Sequence, residues 1–137
     1  MKYLVTGGAG FIGSHVVDQC IKNGFNVLVL DDLSGGFIEN VNANAKFVNG
    51  SVTDHELIDK LFNEYKFTFV FHLAAYAAEG LSPYIKKFNY NNNVICSMNV
   101  INNCINYSVK KIIFTSSMAV YGFGNPPFNE QQLPCPI

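Results

Sequence analysis

The chain has 137 residues, which suits one domain. Hydrophobic residues make up 49% and charged residues 14%, which excludes a disordered chain. A net charge of −1 makes no electrostatic case for nucleic acid or an anionic membrane, and no apolar run approaches a membrane span.

Tyr3-Leu4-Val5 reads as strand one. Ile12, Val16, Val17, Cys20 and Ile21 recur at helical spacing, and Gly24 stops that helix. Val27 to Leu30 is apolar at every position, as expected of a parallel strand buried on both faces. Lys46-Phe47-Val48 is a weaker third strand. Thr53 and Glu56 read as a capping box before a helix carrying Leu57, Ile58, Leu61 and Phe62. Phe67 to Phe71 reads as strand four. Ser82-Pro83 suits an N-cap and first helical residue. The long segment behind it places Ile85, Phe88, Ile95, Met98, Ile101 and Ile105 mostly on one side. Ile112-Ile113-Phe114 is strand five, and the Gly- and Pro-rich remainder reads as loop.

Strands alternate with helices, so the expected fold is α/β. It is a doubly wound, Rossmann-like parallel sheet of order 3-2-1-4-5 that ends after strand five. Residues 1–137 would form one such domain, incomplete at its C-terminal end.

Gly7, Gly10 and Gly13 follow strand one and open helix one, and Gly8, Gly10 and Gly13 satisfy GxGxxG. In a dinucleotide site such glycines permit a tight turn, close backbone approach to the pyrophosphate, and close helix–strand packing. The pyrophosphate then rests on free N–H groups at the positive end of the helix dipole. A plain strand–turn–helix connection is the alternative, but here strand, helix and downstream acid stand together. That acid is Asp31, at the end of strand two. A carboxylate there accepts from both adenosine ribose hydroxyls and repels a 2′-phosphate, favouring NAD over NADP. Asp32 follows it, with no Arg or Lys nearby for a phosphate.

The segments "TGGAGFIGSH", "DDLSGG", "HLAA", "NNNVICS" and "FTSSMAVYG" stand in a recognisable order and spacing. In them the chain resembles the extended short-chain dehydrogenase/reductases, specifically the NAD-dependent epimerase/dehydratases of nucleotide sugars. The resemblance spans essentially the whole chain. It implies NAD as cofactor, a nucleotide-sugar substrate, and a first step in which a sugar hydroxyl is oxidised by hydride transfer to NAD. It also implies a homodimer for the full-length protein.

Residue by residue, the resemblance assigns Gly7, Gly10, Phe11, Ile12 and Gly13 to the pyrophosphate loop, and Asp31 and Asp32 to the adenosine ribose. Ser51 and Val52 fall beside the adenine, where the family usually has Asp before Val or Ile; Ser51 departs from that pattern. Leu73, Ala74 and Ala75 match the backbone lining the cofactor after strand four. Asn93 matches a helix asparagine near the catalytic centre, or is one more polar residue in an asparagine-rich helix. Thr115 and Ser116 match the strand-five end beside the nicotinamide ribose, and Ser117 the catalytic serine.

His72, at the end of strand four, reads as a satisfied core histidine. His15 has no partner spaced for a metal, His55 reads as exposed, and no metal site is expected. The four cysteines (Cys20, Cys96, Cys104, Cys135) lack CxxC spacing and read as reduced thiols of a cytoplasmic protein.

The family's chemistry also needs Tyr-x-x-x-Lys on the helix after strand five. Tyr107 with Lys111 is the sole match, and it lies before strand five, toward the sheet edge opposite the cofactor. It reads as a chance match. The chain is therefore expected to be the N-terminal part of a longer enzyme, inactive alone. The alternative is a stand-alone NAD-binding or interaction module without catalysis.

Overall fold

The structure, a computed structural model, describes residues 1–136. Five strands form one parallel sheet: β1 (Lys2–Thr6), β2 (Asn26–Asp31), β3 (Lys46–Asn49), β4 (Phe69–His72) and β5 (Lys111–Phe114). Their order is β3-β2-β1-β4-β5, as the alternation of elements predicts.

Period-two alternation divides each central strand between two cores. Leu4, Leu28, Leu30 and Val70 face one side, where they meet Ile58, Leu61 and Phe62 of α2 (His55–Tyr65) and Cys96, Val100 and Cys104 of α4 (Cys96–Asn106). Tyr3, Val5, Val27 and Val29 face the other side, against Val17 and Cys20 of α1 (Phe11–Lys22). Phe62 is fully buried at the centre of the first core, with Phe67 edge-on at 5.2 Å. Tyr3 stacks between Phe25 at 4.6 Å and Phe69 at 5.0 Å in the second.

Two helix starts differ from expectation. The N-cap of α2 is Asp54, whose carboxylate accepts from the Leu57 N–H at 3.0 Å. Thr53 is instead held by Ser51, whose Oγ accepts from the Thr53 N–H and hydroxyl. The helix thus begins one residue later, and Glu56 sits too early to close a capping box. Ser82 and Pro83 lie in a turn, and regular helix begins only with α3 (Lys86–Asn89), which no side chain caps.

Between α3 and α4 the helix widens over Tyr90–Ile95. Side chains compete for the backbone there: Asn92 donates to the Phe88 carbonyl at 3.0 Å, and Cys96 to the Asn92 carbonyl. Such back-bonding loosens the regular ladder. In α4 the apolar stripe of Met98, Ile101 and Ile105 faces outward. The buried face is Cys96, Val100 and Cys104 with two amides, Asn99 and Asn103. Asn99 reaches the Val52 carbonyl at 3.4 Å and Asn103 the Asn99 carbonyl at 3.1 Å. Burial raises the Cys104 thiol to about 11, leaving it neutral and inert.

Among the described residues no helix is long and apolar enough to cross a membrane.

Candidate functional site

β1 ends at Thr6 and the chain turns at once. Gly7 takes φ +72°, a conformation open mainly to glycine. A Cβ on it would lie 2.7 Å from the Ala74 nitrogen, so the turn after β1 rests directly on the segment after β4. Gly13 is tighter: its Cβ would meet the Gly7 carbonyl oxygen at 2.0 Å. These two glycines set helix α1 against its strand.

α1 starts at the N-cap Gly10 without a side-chain cap and with no acid in its first turn. Its first N–H groups and its dipole are left to an anion. The side chains of Phe11 and Ile12 are 81% and 59% exposed, so any anion contact there is made by backbone.

The loop is held from outside. Ala9 donates its N–H to Asp31 Oδ2 at 3.0 Å, and its carbonyl accepts from the Phe37 N–H at 3.1 Å and from Asn40 Nδ2 at 3.0 Å. Asp31 Oδ1 accepts from the Leu33 N–H at 2.9 Å. Asp32 accepts from the Ser34 N–H at 3.0 Å. Burial pushes the Asp32 carboxyl up, but hydrogen bonds from Ser34 and Ser51 outweigh it and hold it below its ordinary value.

Between these loops lies a cleft of about 340 Å³ at the carboxyl ends of the strands. Gly7, Gly10, Asp31, Asp32, Ser51, Val52, Leu73, Ala74 and Ala75 all line it. Nine of the expected positions therefore converge on one cavity. Phe11, Ile12, Gly13, Asn93, Thr115, Ser116 and Ser117 are not among its walls. Gly13 is buried beneath the loop. Asn93 spends its carboxamide on Tyr76: Oδ1 accepts from the Tyr76 N–H at 2.7 Å, and Nδ2 donates to the Tyr76 carbonyl at 3.0 Å. Thr115, Ser116 and Ser117 follow β5 and are exposed, and Ser117 Oγ accepts from the Ala119 N–H at 3.1 Å.

The walls also include Ser34, Gly35, Gly36, Tyr76, Ala77, Phe88 and Asn92. The first three carry a signal in "DDLSGG", where small residues follow the two acids and let backbone approach a ligand. Tyr76 and Phe88 meet edge-on at 4.9 Å, from two segments that no local spacing links.

The walls fit a dinucleotide. Small residues leave backbone exposed, an uncapped helix end suits a diphosphate, and a carboxylate stands where ribose hydroxyls would come.

Tyr107 and Lys111 are elsewhere. Lys111 pairs in register with Phe69, which pairs with Tyr3, at the amino edge of the sheet. The Tyr107 hydroxyl donates to Asp59 Oδ1 at 3.0 Å, and that bond raises its pKa. A catalytic tyrosine needs the opposite shift.

A model of the NAD dependent epimerase/dehydratase family matches residues 3–137. The chain belongs to that family. A UDP-glucose 4-epimerase of Caenorhabditis elegans is 37% identical over 137 residues, covering 89% of this chain and 39% of the relative. Among solved structures, the UDP-glucose 4-epimerase of Thermotoga maritima with UDP-glucose superposes with a TM-score of 0.94 at 44% identity, covering 100% of this chain and 45% of that one. The Thermus thermophilus UDP-glucose 4-epimerase in complex with NAD gives 0.93 at 36% identity, covering 99% and 45%. The chain thus spans less than half the length of these epimerases.

Proposed function

We propose that this chain is the NAD-binding portion of a nucleotide-sugar epimerase/dehydratase. The observation that carries the reading is the convergence of the glycine loop and Asp31 on one cleft at the carboxyl ends of the strands. The N–H groups opening α1 would hold the diphosphate, and Asp31 and Asp32 the adenosine ribose. Ser51 and Val52 would flank the adenine, and Leu73, Ala74 and Ala75 would form the floor. Thr115 and Ser116 would border the nicotinamide ribose. Asn93 would act from behind the floor, through Tyr76.

The cofactor, when bound, supplies a hydride acceptor. Ser117 would hydrogen-bond the sugar hydroxyl being oxidised, or the ketone formed from it. A proton acceptor is also required. The sole Tyr-x-x-x-Lys pair of the chain sits at the opposite edge of the sheet, with its tyrosine donating to Asp59. The chain alone is therefore proposed to bind NAD without turnover, and the activity to belong to a longer, cytoplasmic, homodimeric protein. A stand-alone NAD-binding or interaction module is the second reading, favoured by that same misplaced pair.

Calorimetry of NAD⁺ into the folded chain tests the shared core of both readings. Saturable heat is expected, and its absence at millimolar NAD⁺ would rule both out. Mixing the chain with NAD⁺ and UDP-glucose separates catalysis from binding: the sugar should be recovered unchanged, with neither its 4-epimer nor a dehydrated product formed.

A further inference from the structure

We propose that His72 is a positioning residue, which closes a hydrogen-bond circuit between β1, β4, the start of α4 and the helical turn before it, and so fixes the Leu73–Tyr76 floor of the NAD cleft. The proposal rests on the NAD-binding reading only for the role of that floor.

Thr6 ends β1 and His72 ends β4, and the two stand opposite each other in register. Their side chains meet at 2.7 Å, from Thr6 Oγ1 to His72 Nδ1. The same Thr6 oxygen accepts from the Ala74 N–H at 3.3 Å. A hydroxyl has one proton to give. The amide nitrogen can only donate, so the Thr6 proton is free for the histidine. Ser97 spends its own proton on the Asn93 carbonyl, so its Oγ can only accept from the ring; Nε2 therefore carries the ring proton and Nδ1 accepts from Thr6. Nε2 lies 2.9 Å from Ser97 Oγ. Ser97 in turn donates to the Asn93 carbonyl at 2.5 Å. The Asn93 carboxamide completes the circuit, binding the Tyr76 N–H and carbonyl.

Every donor in this series has one acceptor, and both ends reach the same irregular segment: Ala74 at one end, Tyr76 at the other. That segment has no strand or helix ladder of its own. Ala74 and Tyr76 both line the cleft. His72 is 2% exposed, and burial lowers its pKa to about 4, which keeps the ring neutral as the circuit requires. A histidine serving only the core would need hydrogen-bond partners, but those partners would not have to end on the cofactor floor.

Three measurements on the full chain test this. ¹⁵N NMR should find the His72 ring neutral and protonated on Nε2. Amide exchange at Ala74 and Tyr76 should speed up together in Thr6→Val and in Ser97→Ala, although each replaced side chain touches only one end of the circuit. Thr6→Ser should restore slow exchange at both. NAD⁺ affinity should fall about tenfold in each single variant, and the double variant should be no worse than the weaker single one, as for members of one network. A ring protonated on Nδ1, faster exchange at only the nearer amide, or losses that add independently would each overturn the proposal. If the wild-type chain binds no NAD⁺, the NAD reading falls, while the ring state and amide exchange still decide the role of His72.

Discussion

Ala9 donates its backbone N–H to the Asp31 carboxylate at 3.0 Å, across 22 residues of sequence. The acid expected at the ribose also buttresses the glycine loop from behind. One carboxylate thus ties the end of β2 to the loop that opens α1, and each oxygen keeps a lone pair for a ligand. Asp31→Ala should weaken NAD⁺ binding by about 10- to 100-fold, the equivalent of one charge-assisted hydrogen bond of about 1.5–3 kcal/mol. It should also narrow the preference over NADP⁺, because the repulsion of a 2′-phosphate is gone. Calorimetry with both cofactors checks this; an unchanged ratio would count against Asp31 as the selector.

Gly13→Ala should be far more damaging than its size suggests. The new methyl would meet the Gly7 carbonyl oxygen, a backbone atom that cannot rotate away. The expected cost is about 1–3 kcal/mol, the usual range for overpacking. Gly35→Ala is the control, since nothing lies within 4 Å of its Cβ position. Urea midpoints of the two variants should separate clearly, with Gly35→Ala near wild type.

Stability should fall in mild acid through His72. Its imidazole titrates near 6.5 when unfolded and at about 4 when folded, because burial disfavours the charged ring. Between those values the unfolded chain holds the extra proton, so stability rises with pH. The contribution is complete above pH 6.5 and lost as pH falls to about 4, for a total of about 3 kcal/mol. In His72→Gln the slope of stability over this window should flatten. Denaturant titrations at several pH values, compared between the two proteins, measure it.

Tyr107→Phe should leave NAD⁺ affinity unchanged. The hydroxyl serves Asp59 and the ring carries Lys66 at 4.8 Å, both far from the cleft in the sheet's topology. Only a small shift in the urea midpoint is expected. A marked loss of NAD⁺ affinity would mean that Tyr107 belongs to the site after all.

Much of the fold can be read from local pattern. The strand runs, the Asp31 position and the glycine spacing each reflect short-range features: burial on both faces of a strand, an acid at the end of that strand, a turn that needs close backbone approach. The helix starts are less legible. Asp54 and Thr53 are both good N-caps by type, and the choice falls to Asp54 because Ser51 engages Thr53. The stripe of Met98, Ile101 and Ile105 also misleads, since the face opposite, with Val100 and two asparagines, is the one that packs. Periodicity finds a face but not which layer it meets.

Residue type and spacing along one strand–turn–helix unit suffice for the class of fold, for the glycine loop and for an acid at the end of β2. Each of these is a requirement that near neighbours in the chain can meet alone. Other relationships arise only when the sheet assembles. Ala9 leans on Asp31, Tyr76 and Phe88 join the cleft wall, and Asn93 serves the backbone of Tyr76. Thr6, His72 and Ser97 form one circuit in the same way. Thr6 and His72 lie 66 residues apart, and the 2.7 Å hydrogen bond between them is created by strand register, which local spacing does not encode.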